Sequence, residues 1–298
     1  MPISAGLRYK DSHPNTRKRR MNQATAMTEQ VLNGILIPPC PATLTSIMRE
    51  AKRPTAEMSK LAQLISQDAG VVGPLLKLAN SPFIGLRSKV TSVMQAVSVL
   101  GIQSTVNLVQ NISLRQSIGG SSQSFDKFWE RSSLTATIAE KIALKFPNVS
   151  KDDAYIAALF HDCGIPVLMM KFPDYRDAVM TLCKQGKSIC DVENVLFSTS
   201  HAVVGNMLAR SWMIPAHVSK AILHHHDPSI FAASENIEEN VLDLIAIIHM
   251  AECVIDEHLH VREMEWPQFE RHVLKQFELS GQEFSELKGD MLAYLNGE

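Results

Sequence analysis

No apolar run in this chain of 298 residues approaches the ~20 residues that a membrane-crossing helix needs. The N-terminus is polar and basic, so it lacks the apolar core of a secretory leader. Cysteine is sparse: only Cys40, Cys163, Cys183, Cys190 and Cys253. None forms a CxxC pair, so there is neither a thiolate zinc spacing nor a disulfide framework, and each reads as a small core hydrophobe. These absences lead us to expect a cytoplasmic protein with no membrane partner. No stretch alternates apolar and polar residues for long enough to read as a strand. Basic residues are dispersed except for Arg17-Lys18-Arg19-Arg20, with no clustered basic and aromatic surface, so nucleic acid is not an expected partner.

What is present is core material. Hydrophobic residues make up 45% of the chain and charged residues 20%, a globular composition. The length allows one large domain or two modest ones. The net charge of −2 conceals a split. Residues 1–118 carry 14 Lys+Arg against 5 Asp+Glu, a net of +9; residues 119–298 carry 15 against 26, a net of −11. Such a split suggests two units whose surfaces face each other or different partners.

The expected organisation is all-α. Residues 1–27 read as a disordered basic tail, 28–118 as an N-terminal helical lobe, 119–124 as a linker, and 125–298 as a second helical lobe with closing helices. The run Ile35-Leu36-Ile37 is closed by Pro38, Pro39 and Pro41, which makes an extended entry before a helix bearing Leu44, Ile47 and Met48. Thr55 is expected to cap a helix that Gly70 ends. Further helices are expected over Val71–Ala79, Ser88–Leu100 and from Gly101 to about Ile118. Gly119-Gly120-Ser121-Ser122-Gln123-Ser124 then marks the linker, where the charge balance also flips.

Chemistry concentrates at His161-Asp162, inside the apolar stretch Ala158–Leu168. Ser150 and Asp153 have capping-box spacing, which puts the pair near the C-terminal end of a buried helix. Burying an imidazole and a carboxylate unpaired costs several kcal/mol. Either a metal ion or a hydrogen-bonded core network would satisfy them.

The segments IPPCPATLTSIM, LAQLISQDAGVVGPLLKLANSPFIG and KVTSVMQAVSVLGIQSTVNLV, in that order, resemble the N-terminal part of the HDOD family, the HD-related output domains. The resemblance runs over about residues 28–260 and implies two helical lobes, the second related to the HD phosphohydrolases. It implies His161 and Asp162 as core metal ligands, Glu252 in place of the terminal aspartate, and His201, His225 and His226 as the extra ligands of dinuclear cyclic-dinucleotide phosphodiesterases. Such a set suits iron, manganese, zinc or nickel.

Three departures weigh against hydrolysis. The family's first ligand histidine falls at Ser132, the lysine that follows its glycine is Ile165, and a GYP segment is replaced by Asp227-Pro228-Ser229-Ile230-Phe231. The expectation is therefore a non-catalytic, bacterial signal-transduction module that binds a signalling protein or a small ligand, with input in trans. The alternative is a metal-dependent phosphohydrolase acting on a nucleotide or cyclic dinucleotide. His217, His249, His258, His260 and His272 read as structural or surface residues. The closing helices, one opened by a Ser280–Glu283 capping box, cover the second lobe and offer a homodimer surface.

Overall fold

The computed structural model describes residues 32, 34–81, 88–119, 125–183, 187–232, 237–261 and 265–297. The expected tail, residues 120–124 of the expected linker and residues 82–87 lie outside these. Among the described residues the chain is helical, with no strand. The first five helices are α1 (Ala42–Ala51), α2 (Met58–Ser66), α3 (Ala69–Ala79), α4 (Val93–Leu100) and α5 (Ile102–Ser117). Then follow α6 (Asp126–Ala143), α7 (Lys151–Phe160), α8 (Gly164–Lys171), α9 (Tyr175–Cys183), α10 (Ile189–Phe197), α11 (His201–Ser211) and α12 (Ala216–His224). A 3-10 turn over Pro228–Phe231 leads to α13 (Glu239–His258), α14 (Trp266–Gln276) and α15 (Gly281–Asn296).

Three helix boundaries differ from the sequence expectation. Gly70 does not end a helix: α2 stops at Ser66, and Asp68 caps α3 by accepting the Gly70 N–H at 3.0 Å. Nor does α2 take Thr55 as its cap; Glu57 stands there. Pro74 lies within α3, and its missing N–H frees the Gly70 carbonyl. The Gln116 side chain donates to that carbonyl at 2.7 Å, tying α5 to α3. The helix expected from Ser88 begins only at Val93, after a Ser92 cap. Asn80 is the reason: its amide donates to the Val90 carbonyl and its oxygen accepts the Val90 N–H, each at 2.8 Å, so both backbone groups of Val90 are spent outside the helix.

Helices α1–α5 pack mainly on one another, and α6, α7 and α13 form the centre of the rest. One apolar core runs through both groups. Helix α5 joins them, with every residue from Thr105 to Leu114 buried. Such continuous burial brings polar groups inside, and they are paired across the groups. Asn111 donates to Ser133 Oγ at 2.9 Å, and the Trp212 indole donates to the Pro38 carbonyl at 3.0 Å. Contrary to the sequence expectation, one stretch, Lys151–Lys171, is long and apolar enough to pass for a membrane span. It is, however, broken into α7 and α8 at residues 161–163 and lies largely inside the core. The five cysteines are all free.

Candidate metal centre

Two local devices build the site. The first is the end of α7. Ser150 caps that helix by accepting the Asp153 N–H, while the Asp153 carboxylate faces His217 Nε2 at 3.0 Å. His161 is the C-cap residue, so His161 and Asp162 leave the helix end together. The second is Gly164. A Cβ there would lie 2.1 Å from the His201 carbonyl oxygen and 2.9 Å from the Gly205 nitrogen. The starts of α8 and α11 therefore meet backbone to backbone, which sets His201 beside Asp162. Ser200 caps α11. His225 ends α12, and His226 follows it.

The Asp162 carboxylate is the hub. Its Oδ1 lies 3.3 Å from His201 Nε2 and 3.7 Å from His225 Nε2; its Oδ2 lies 3.3 Å from His161 Nε2. Glu252 Oε1, from α13, lies 3.4 Å from His161 Nε2. His226 Nε2 is 2.8 Å from His201 Nε2. The donor atoms fall into two overlapping groups, Asp162 with His201, His225 and His226, and Asp162 with His161 and Glu252, each within 4.8 Å.

The outer nitrogens fix the protonation of the rings. His161 Nδ1 faces the Ala158 carbonyl and His225 Nδ1 the Ile222 carbonyl, both at 2.7 Å. A carbonyl only accepts, so each Nδ1 carries a hydrogen. His201 Nδ1 faces Glu193 at 2.8 Å, and His226 Nδ1 faces Glu265 at 2.6 Å. All four rings therefore turn Nε2 toward the centre, where the neutral form of each presents a lone pair. The buried Nε2 atoms of His161 and His225 have no hydrogen-bond partner. Two lone pairs cannot meet at 2.8 Å, so the His201–His226 contact requires a proton or a metal ion between them.

Without a metal the carboxylates draw protons onto two of these rings: burial would lower His161, but Asp162 and Glu252 beside it push it well above the ordinary imidazole value. Burial alone would lower His201, but the Glu193 and Asp162 carboxylates outweigh it and push the ring up to about 10. Burial and the rings of His225 and His201 hold His226 well below the ordinary imidazole value. Without metal, a proton on His201 thus bridges to His226. Burial would raise Asp162 and Glu252, yet the His161 ring beside them lowers both, Arg131 adding to the effect at Glu252. Orphaned nitrogens, carboxylates and outer partners that hold each ring make a donor set that fits a divalent metal.

A family model described as the HDOD domain matches residues 37–228. The chain belongs to the HDOD family. This HDOD chain is 26% identical over 194 residues to an uncharacterized protein of Treponema pallidum (strain Nichols), covering 64% of the chain but only 38% of that relative. Among solved structures it resembles an HDOD domain protein of unknown function from Geobacter sulfurreducens, with a TM-score of 0.71, 20% identity, and coverage of 93% and 96% of the two chains. It also resembles a Shewanella amazonensis SB2B protein provisionally described as a phosphohydrolase, with a TM-score of 0.70, 19% identity, and coverage of 91% and 94%. At these identities the likeness is one of fold.

The HDOD fold brings all six expected residues, His161, Asp162, His201, His225, His226 and Glu252, to one place. Ser132 offers nothing to it, because its hydroxyl donates to the Phe128 carbonyl at 3.1 Å. The neighbouring Arg131 reaches in instead, to Glu252 at 3.2 Å and to Asp256. Sequence reasoning missed Arg131, and it missed Glu193 and Glu265. Glu193 is fully buried: it accepts from the His201 N–H and ring, and from the Tyr175 hydroxyl. Its only signal was a carboxylate on a largely apolar helix. Glu265 lies in a connection and gave none. His249 lies behind the site: its ring stacks on Phe269 at 3.6 Å, its Nε2 meets the His225 carbonyl at 2.6 Å and its Nδ1 lies 3.7 Å from Glu252 Oε2.

Proposed function

We propose that this HDOD chain is a signalling domain whose HD-type centre holds a divalent transition metal and takes a phosphorylated small ligand without turning it over. The observation that carries the metal is the convergence of four imidazoles, three buried and His226 partly so, each with Nδ1 tied and Nε2 turned inward. Metal-ligating histidines are oriented in this way by an outer carbonyl or carboxylate. His201, His225, His226 and Asp162 would hold the ion, with His161 and Glu252 beside it. A bound ion supplies a Lewis acid for a phosphoryl oxygen.

The chain's own residues support access for an anion. The Asp162 and Glu252 side chains are 20% and 17% exposed, and Arg131 is 29% exposed next to them. On the far side, His226 and Glu265 line a cavity of about 420 Å³ with Cys190, Asn194 and His224, roomy enough for part of a nucleotide. Against turnover stand Ser132, which leaves α6 without an imidazole ligand, and Ile165, which leaves α8 without a phosphate-holding cation. We further propose a signalling protein partner, which would read the ligand state of the centre.

Metal content by mass spectrometry tests this, on protein purified without chelator or histidine tag. We expect near-stoichiometric iron, manganese, zinc or nickel, lost in His225→Ala, and nucleotide or cyclic-dinucleotide binding by calorimetry only in the loaded protein. No metal as purified and none taken up on titration would overturn the reading. The exposed carboxylate edge beside Arg131 also favours a second reading, hydrolysis of a phosphodiester or phosphomonoester. Turnover of a nucleotide panel with added manganese or iron, abolished by Asp162→Ala, would establish it.

A further inference from the structure

The two sides of Asp162 are unequal. On the Oδ1 side stand His201, His225 and His226, three imidazoles with their outer nitrogens tied. No described cation side chain pairs with the Asp162 oxygen there other than these rings. On the Oδ2 side stand His161 and Glu252, with His249 Nδ1 3.7 Å from the other Glu252 oxygen. Glu252 Oε1 is already shared, 3.4 Å from His161 Nε2 and 3.2 Å from the Arg131 guanidinium.

Arg131 is not a loose surface cation. Its other terminal nitrogen pairs with Asp256, one turn beyond Glu252 on α13. The guanidinium thus spans two carboxylates of one helix face, in the fork geometry that suits arginine. It stays charged at any ordinary pH. The residue beside it on α6, Ser132, has turned its hydroxyl to the helix backbone. An ion entering this side would compete with a fixed positive charge for the same Glu252 oxygen, and α6 would give it no ligand.

We infer that this centre takes one metal ion, held by Asp162, His201, His225 and His226, and that Arg131 fills the electrostatic place of a second. The inference rests on the metal-centre reading above. His161 is then a positioning residue for Asp162 and Glu252, and not a ligand.

The test counts ions. Protein is incubated with excess Mn²⁺, desalted and analysed for manganese per chain, with electron paramagnetic resonance as an independent readout. We expect one ion per chain in the wild type, one in His161→Ala and in the milder His161→Gln, and none in His225→Ala. The wild-type spectrum should be that of an isolated Mn²⁺. In R131M/S132H, which removes the cation but keeps its apolar stem and offers an imidazole, we expect two ions and an exchange-broadened spectrum. Two ions in the wild type falling to one in His161→Ala would overturn the inference and leave the metal-centre reading standing. Zero ions in the wild type would overturn both. A folded R131M/S132H that retains a single ion would overturn the role given to Arg131.

Discussion

Replacing Gly164 by alanine tests the contact that assembles the site. The added methyl would sit 2.1 Å from the His201 carbonyl oxygen, 2.8 Å from its carbon and 2.9 Å from the Gly205 nitrogen, whereas ordinary contact begins near 3.4 Å. All three neighbours are backbone, so no side chain can swing aside, and α8 and α11 must separate by about 1 Å. Overpacking of a tight core costs about 1–3 kcal/mol, and a backbone-to-backbone clash belongs at the upper end. At about 2 °C per kcal/mol for a chain of this size, Gly164→Ala should melt about 6 °C below the wild type. Melting is followed by circular dichroism at 222 nm after chelation, so that metal does not contribute. The displacement also carries His201 away from Asp162, so metal affinity should fall as well. Gly289→Ala is the control. Its Cβ would meet nothing within 4 Å on the exposed face of α15, and replacing a helical glycine should stabilise by up to about 1 kcal/mol. A Gly164→Ala protein that melts within about 1 °C of the wild type would refute the reasoning.

Three further outcomes follow from the same physics. Glu193→Gln keeps the shape around His201 but removes the charge that holds its Nδ1–H; metal affinity should fall about 10- to 100-fold in competition with a fluorescent chelator, with a much smaller change in melting. Asn80→Ala strips both polar partners from the buried Val90 backbone and one from the Leu76 carbonyl, and should cost about 2 kcal/mol in urea unfolding. Ser280→Ala breaks the capping box that opens α15, where Ser280 Oγ and Glu283 exchange bonds with each other's backbone, and should cost about 1 kcal/mol by the same assay.

The apolar stripe of α1 was legible from its period, and the α15 cap from the Ser280–Glu283 spacing. Gly70 and Ser88 misled because local breakers compete with tertiary bonds. Asp68 captured Gly70 into a new helix, and Asn80 took both backbone groups of Val90, ten positions away. At the site, the resemblance pointed to the six residues that meet, because residue identity survives in sequence. The supporting carboxylates did not show, since nothing local to Glu193 or Glu265 says that an imidazole lies against it.

The sequence by itself determined that this protein is helical throughout its described parts, where its apolar faces lie, and which histidines and carboxylates carry its chemistry. Those features follow from residue type and spacing along one helix. Only the tertiary structure decided that four imidazoles turn the same nitrogen to one centre, and that Arg131, not its neighbour Ser132, faces Glu252 and Asp256. The Arg131 ion pairs are set by atoms more than a hundred residues away in the chain, on Glu252 and Asp256. No local periodicity records which of two adjacent side chains will face them.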